Sequence, residues 1–513
     1  MFIVNLLGTH LCVQKRKGIS KLKMASSMSS GGGGGGGGGE PMSPASRLFH
    51  SPKFNCYVMA VMGCKTSVNP QVIKEGLRET ILKHPRFTSK PVKKGRKTRW
   101  ISTTIDLDSH IIVPEINSSE IEFPDRFVED YISNCTKSPL DITKPLWELH
   151  LLNIKTSDAE SVGVFRMHHS MGDGASLMSL LIASTRKSSD PNALPAMPAA
   201  TTVKKDEKQK RGFLMVLFGP LMALWWGLVL MWHTFVDLMM FVLTVLFLKD
   251  TWTPLKGAPG VELHTKRYVH RIVSMDDIKL LKNQMNATVN DVLLGITQAG
   301  ISRYLNRPEF VGANGKKESS SVLKKIRLRS AILVNIRPVS GIQDIADMMA
   351  KKSKVRWGNW IGYIMLPFSI SSQQDPLQHI RQAKATIDRK KHSLEAVSTY
   401  ACAKLVLSLF GVKVAAFIIR RVLLNTTLAF SNMPGPVEEV SFYGHPVAYI
   451  APSVYGHPQA LTIHFQSYAN KMIISLSVDP SVIPDPYLLC DDFEESLKLM
   501  RDVVQKKPVE DAV

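Results

Sequence analysis

Paired cysteines are missing from this 513-residue chain. Its six cysteines (Cys12, Cys56, Cys64, Cys135, Cys402, Cys490) are scattered and none forms C-x-x-C, which points to reduced, buried thiols in a protein that faces the cytosol. No G-x-S-x-G elbow announces a serine nucleophile. The net charge of +21 comes with no basic arm, RNP signature or helix-turn-helix pattern, so nucleic acid is not an expected partner. The apolar start of the chain precedes its basic Lys15-Arg16-Lys17 patch, the reverse of a secretory signal peptide. The excess of 64 basic over 43 acidic residues instead suits a membrane surface and a phosphate-rich ligand. Nothing in the sequence sets an oligomeric state.

Residues 1–40 read as a flexible Gly/Ser-rich extension, because nine glycines (Gly31 to Gly39) follow a serine-rich patch. Met24 opens the polar linker directly and suits an alternative start. Folding is expected from Pro41 onward, with a first half at 41–185, a linker and apolar segment at 186–252, and a second half at 253–513. Phe54 to Val61, Ile101 to Ile105, His110 to Pro114, Ile332 to Pro338 and Met472 to Val478 read as strands. Pro70 to Leu82 reads as a helix capped by Asn69, and Phe127 to Cys135, Met275 to Gln284 and 484–505 are helical. Strands and helices mix without a repeating βαβ unit, so the fold class is α+β. Within the linker region, Phe213 to Leu248 is almost wholly apolar, and only His233 and Asp237 ionise. A single bilayer crossing needs about 20 residues; this stretch is too long for one untilted span and barely long enough for two.

The run Phe165-Arg166-Met167-His168-His169-Ser170-Met171-Gly172-Asp173-Gly174 carries the chemistry. A strand is expected before it and a helix after it. Adjacent histidines on an extended backbone point to opposite faces, so both cannot easily ligate one ion, and no further Cys or His sits nearby at zinc spacing. No metal or cofactor is expected. A plain alternative is one packed and one solvated histidine at a strand end. The other reading is a general base: an imidazole titrates near neutrality, and here it sits at a strand end in a tight turn with a carboxylate in reach.

His-His-x-x-x-Asp-Gly resembles the active-site motif of the CoA-dependent acyltransferase superfamily, which includes chloramphenicol acetyltransferase and peptide condensation domains. Further motifs follow in one order: Pro145-Leu146-Trp147-Glu148, Asn290-Asp291, Asn335-Ile336-Arg337-Pro338, Gly358-Asn359 and Ser431-Asn432-Met433-Pro434-Gly435-Pro436. With the opening Pro41-Met42-Ser43-Pro44-Ala45-Ser46-Arg47-Leu48-Phe49, the set resembles the plant branch of the bifunctional wax ester synthase/diacylglycerol acyltransferase family over residues 41 to about 505.

The resemblance implies two chloramphenicol-acetyltransferase-like subdomains forming a pseudo-dimer around a central tunnel. It implies acyl transfer from acyl-CoA to a long-chain fatty alcohol or a diacylglycerol at an endoplasmic reticulum membrane, or also at the plasma membrane, with the site facing the cytosol. His169 would be the general base and His168 a supporting residue. Asp173 would order the turn by pairing with an arginine, and Gly172 and Gly174 would permit its tight backbone. Asn290 and Asp291 would shape the second half of the site, although both also suit a helix cap. Asn432 and Gly435 would lie on a crossover turn near the tunnel. Trp147 reads equally as a packed aromatic and Glu148 as a surface charge.

If both halves build one site, a single crossing by 213–248 would put them on opposite sides of the membrane. The segment is therefore expected to lie in the interface, or to enter and return with Trp232 to Asp237 near its turn; a buried core helix is the plainer alternative. Trp225, Trp226 and Trp232 suit interfacial depth. Competing functions are a related acyltransferase for small soluble alcohols or amines, which would not need the apolar segment, and an inactive membrane scaffold, against which the intact His169 and Asp173 speak.

Overall fold

The structure is a computed structural model that describes residues 39–198 apart from Arg96, 213–307 (side chains of 213–220 excepted), 326–337, and 357–506 apart from Ser372. The expectations for residues 1–38, for the charged linker around Lys204 to Arg211 and for Pro338 lie outside these residues. In chain order the strands are β1 (Glu40–Pro41), β2 (Tyr57–Cys64), β3 (Ser89–Lys94), β4 (Lys97–Ser102), β5 (Ile111–Ile112), β6 (Trp147–Leu152), β7 (Ser161–His168), β8 (Thr185–Lys187), β9 (Arg267–Ser274), β10 (Leu328–Asn335), β11 (Ile361–Phe368), β12 (Leu428–Met433), β13 (Val440–Phe442), β14 (His445–Tyr455), β15 (Leu461–Tyr468) and β16 (Lys471–Val478). The helices used below are α1 (Pro44–Leu48), α2 (Pro70–Glu79), α3 (Pro124–Cys135), α4 (Gly174–Ser184), α5 (Phe213–Leu246), α6 (Met275–Gln284), α7 (Val289–Leu305), α8 (Gln378–Lys391), α9 (Glu395–Leu409), α10 (Gly411–Asn425) and α11 (Pro486–Lys506).

Two mixed sheets form the two lobes. The first runs β5-β6-β7-β2-β14-β13-β8 and the second β11-β10-β12-β15-β16-β9. Central strands β2 and β7 are nearly continuous apolar runs because both their faces are covered. Each lobe has its own core, around Trp147 and Phe87 in the first and around Leu293, Phe465 and Phe493 in the second.

The lobes do not divide at one point in the sequence. The chain passes from β12 in the second sheet to β13 and β14 in the first, then returns as β15. β14 pairs with β2 from Val447↔Cys64 to Tyr455↔Tyr57, and β13 pairs with β8. Residues 440–455, placed by sequence in the second half, thus complete the first sheet. Their apolar pattern marks a strand, but strand partners are chosen by nonlocal packing that no local pattern encodes.

Local signals held well where caps were involved. Asn69 accepts from the Gln71 backbone N–H and caps α2, with Pro70 at its first position. The expected strand at Phe54 to Val61 is shifted to Tyr57–Cys64, that at Ile101 to Ile105 to Lys97–Ser102, and that at His110 to Pro114 shrinks to Ile111–Ile112.

Helix α5 corrects two expectations. It is one unbroken helix of 34 residues, about 51 Å long at 1.5 Å per residue, so no turn occurs at Trp232 to Asp237. It is not a core helix either, since Trp225 is 63% and Trp232 63% exposed. Asp237 needs no polar turn because it is buried against the second lobe. Its Oδ1 accepts from Lys390 Nζ at 2.9 Å and from Arg389, and Lys390 also reaches Glu395 at 2.6 Å. Burial pushes the Glu395 carboxyl up to about 7, against the pull of Lys390.

The C-terminal end of α5 is tied down more firmly. Arg329 on β10 donates Nε to Asp250 Oδ1 at 2.6 Å and its backbone N–H to Oδ2 at 2.7 Å. The same guanidinium donates to Thr244 Oγ1 at 2.6 Å, and Thr427 Oγ1 donates to Asp250 at 2.7 Å. Both charges are buried, so removing one strands the other at a cost of about 3–5 kcal/mol. Asp250→Ala is expected to lower the thermal unfolding midpoint of the detergent-solubilised protein sharply, and an unchanged midpoint would show that this pair does not hold α5 to the lobe.

Candidate active site between the lobes

β7 delivers the histidines. It ends at His168, residues 169–171 form one tight turn, and α4 begins at Gly174 with Asp173 as its cap. His168 is fully committed. Its Nε2 meets Asn55 Oδ1 at 2.9 Å, its Nδ1 meets Ser170 Oγ at 2.7 Å, and its ring stacks on His50 at 4.2 Å. Burial lowers its pKa, and the nearby His50 and His169 lower it further.

His169 turns the other way and lines a cavity of about 280 Å³ between the lobes. Its ring stacks on Phe49 at 4.3 Å, so the N-terminal segment that carries α1 packs the imidazole in place. Its backbone carbonyl accepts from Asn359 Nδ2 at 3.1 Å and its N–H donates to the Cys56 carbonyl at 2.9 Å. Nδ1 is buried without a partner in hydrogen-bond geometry. Burial lowers the pKa of His169; its own carbonyl, Asp173 and Asn359 pull in the opposite direction without overcoming it. The imidazole is therefore neutral and able to accept a proton at neutral pH.

Asp173 fastens the turn to the second lobe. Its Oδ1 accepts from the Ser176 N–H at 3.0 Å, which caps α4. Its Oδ2 accepts from Arg337 Nη1 at 2.7 Å and from the Trp360 N–H at 3.0 Å. Arg337 also donates to Ser176 Oγ at 2.9 Å and to the Gly358 carbonyl. Asp173 and Arg337 are both buried. The carboxylate makes no hydrogen bond to the His169 ring among the interactions described; its role in this geometry is to order the turn.

The glycines serve close packing. Gly172 is extended (φ 177°), a conformation open to any residue, and a Cβ there would lie 3.2 Å from Trp357. A Cβ on Gly174 would lie 2.7 Å from Met433 Cε across the cavity. The tight-backbone expectation is thus replaced by steric contact with the second lobe.

The remaining candidates divide. Asn432 lines the cavity and donates Nδ2 to Asn290 Oδ1 at 2.6 Å, which ties β12 to the start of α7. Asp291 is buried away from the cavity and completes a capping box with Thr288, its Oδ2 accepting from the Thr288 N–H at 2.7 Å. Gly435 sits where a Cβ would lie 2.2 Å from the Ser467 carbonyl, so only glycine lets the crossover pass. Trp147 is packed, donating Nε1 to the Phe87 carbonyl at 3.0 Å. Glu148 is not the surface charge expected, because its side chain is largely covered and pairs with buried Arg166 at 3.3 Å.

Sequence reasoning missed the opposite wall. Thr462, His464 and Gln466 on β15, with Ser453, His457 and Gln459 just before it, line the cavity that His169 faces. The alternation Leu461-Thr462-Ile463-His464-Phe465-Gln466 was visible, but it reads as an ordinary half-solvated strand. Among the described residues no group of three His, Cys, Asp or Glu side chains is placed to hold a metal ion.

Comparison with known proteins agrees with this geometry. Residues 52–293 match the wax ester synthase/diacylglycerol acyltransferase catalytic domain model, and residues 357–501 match the model of its C-terminal domain. Wax ester synthase/diacylglycerol acyltransferase 11 of Arabidopsis thaliana is 53% identical over 91% of this chain and 96% of its own length. Number 5 of the same plant series is 53% identical over 91% and 94%. The solved wax ester synthase/diacylglycerol acyltransferase of Marinobacter aquaeolei VT8 superposes with a TM-score of 0.56 at 14% identity, covering 91% of this chain and 100% of that one. The first condensation domain of the CDA synthetase superposes at 0.52 and 13% identity, over 91% and 96%. The two-lobed α+β architecture is shared with both, and the chain belongs to the wax ester synthase/diacylglycerol acyltransferase family of acyl-CoA-dependent O-acyltransferases.

Proposed function

We propose that this enzyme transfers a fatty acyl group from acyl-CoA to a long-chain fatty alcohol, a diacylglycerol or both, with His169 as general base. One observation carries the reading: a buried, neutral imidazole lines an inter-lobe cavity whose walls are otherwise chiefly apolar, from Val58 and Met62 in the first lobe to Ala331 and Leu333 in the second. His169 removes the proton of the acceptor hydroxyl as its oxygen attacks the thioester carbonyl carbon. The tetrahedral intermediate then expels the thiolate, which takes the proton back from the imidazolium, leaving ester and free CoA. Asp173 and Arg337 hold the turn and pass no proton. The apolar walls favour lipid acceptors over small soluble alcohols, and the intact site disfavours an inactive scaffold.

The enzyme docks on a membrane without crossing it. β13 and β14 of the second half complete the first lobe's sheet, so both lobes occupy one side of any bilayer. Residues 199–212 would have to return across the hydrocarbon if α5 spanned it, and they include Lys204, Lys205, Asp206, Glu207, Lys208, Lys210 and Arg211, each costly at the bilayer centre. An in-plane α5 instead presents Trp225, Trp226 and Trp232 to the headgroup boundary. The apolar face continues onto α9 and α10 through Leu405, Leu409, Phe410 and Phe417, beside exposed Lys404 and Lys413 that suit anionic lipid. The free thiols Cys56, Cys64, Cys135 and Cys490 support a cytosolic face, as at the endoplasmic reticulum.

Three outcomes test these readings. His169→Ala should cut ester formation about 10²–10⁴-fold with an unchanged melting temperature; a folded, active variant removes the proposed base. Because burial lowers the His169 pKa, the base form persists into mildly acidic solution, so kcat/KM should be flat near neutrality and fall only below pH 6.5; an acid limb centred above that value contradicts a buried base. Asp173→Asn should lower the melting temperature and activity together, since it strands buried Arg337. Loss of activity at unchanged stability would instead make Asp173 part of the proton path.

A further inference from the structure

The wall facing His169 is polar where the fold would tolerate an apolar one. On β15, Leu461, Ile463 and Phe465 are buried in the second lobe's core, while Thr462, His464 and Gln466 point into the cavity. Neighbouring strands extend the stripe, since β12 sets Ser431 and β16 sets Ser475 opposite His464. Burying such groups is costly unless each finds a partner, and several have none of their own: Gln459 Oε1, Gln466 Oε1, His457 Nδ1 and Ser475 Oγ are orphaned.

The donors of this wall are mostly committed. Gln459 Nε2 donates to Thr426 Oγ1 and to the Leu428 carbonyl, and Gln466 Nε2 donates to the Ser467 carbonyl. His457 Nε2 is engaged by Thr462 Oγ1 at 2.9 Å. His464 differs. Its Nδ1 lies 3.4 Å from Ser453 Oγ, and its Nε2 has no hydrogen-bond partner among the described residues while the residue lines the cavity. Burial first, and His169 second, hold the His464 pKa down at about 4, so His464 stays neutral. A neutral imidazole keeps one N–H. In the tautomer in which Ser453 Oγ donates to Nδ1, that proton sits on Nε2.

We propose that His464 is a second catalytic residue, a neutral hydrogen-bond donor to the thioester carbonyl oxygen across the cavity from His169. The proposal rests on the acyl-transfer reading above. As the acceptor oxygen bonds to the carbonyl carbon, the C=O π pair moves onto oxygen, and His464 Nε2–H hydrogen-bonds that oxyanion without transferring its proton. Reformation of C=O then breaks the C–S bond, the pair leaves on sulfur, and sulfur takes its proton from His169. A donor fixed in a dry site is worth most where charge develops, and it acts on kcat rather than on ground-state binding. Ser453, 3.4 Å from Nδ1, is the positioning residue.

The test uses the full-length, detergent-solubilised enzyme with palmitoyl-CoA and 1-hexadecanol. H464M and H464Q are close in size and differ in the N–H donor. H464M should lower kcat about 10²–10³-fold with KM for both substrates within a few-fold of wild type, and H464Q should recover part of the loss; thermal unfolding reports that both are folded. A folded H464M with near-wild-type kcat, a defect confined to KM, or equal losses in H464M and H464Q would each overturn the proposal. H169A run alongside separates the two readings. An active H169A removes the acyl-transfer assignment of the site, whereas an inactive H169A beside a wild-type-like H464M removes only the role of His464.

Discussion

The ion pair between Asp173 and Arg337 is the joint on which the site depends. It lies in a layer from which water is excluded, and it links the turn after β7 to the second lobe at 2.7 Å. Two charges there are tolerable only because every lobe around them supplies a partner: the Ser176 and Trp360 N–H groups for the carboxylate, the Gly358 carbonyl and Ser176 hydroxyl for the guanidinium. The same segment that carries Gly358 carries Asn359, whose amide holds the His169 carbonyl. One short stretch of the second lobe thus fixes both the carboxylate and the backbone of His169. The geometry of His169 is a property of the assembled pair of lobes, not of the turn alone.

Electrostatics follow from this enclosure. His169, His457 and His464 surround one cavity, and burial lowers the pKa of each. Only one of them can acquire a charge at a time without strong repulsion. His457 and His464 remain neutral dipoles while His169 is the ring whose own carbonyl, Asp173 and Asn359 favour protonation. Neighbours, not residue type, thus set the different electrostatics of three identical side chains.

Much of this was legible in the residues. The histidine motif, the cap at Asn69 and the closing helix are local: their signals lie within one turn or one strand. Asp291 illustrates the limit, for its place in the first turn of α7 suited both a cap and a site, and the structure realises the cap. The strand exchange at 440–455 and the polar wall of β15 were not legible. Alternation along a strand states which residues share a face, but whether that face meets solvent or an internal cavity is decided by another lobe hundreds of residues away. The long apolar stretch was ambiguous for the same reason, since Asp237 looked like a turn until Lys390 stood beside it.

The exchange of β13 and β14 carries a kinetic corollary. Two connections, from β12 to β13 and from β14 to β15, tie one lobe to the other, so the enzyme is poorly suited to opening like a clamshell. Any product would then leave without the lobes parting, past the chiefly apolar walls of the inter-lobe cavity.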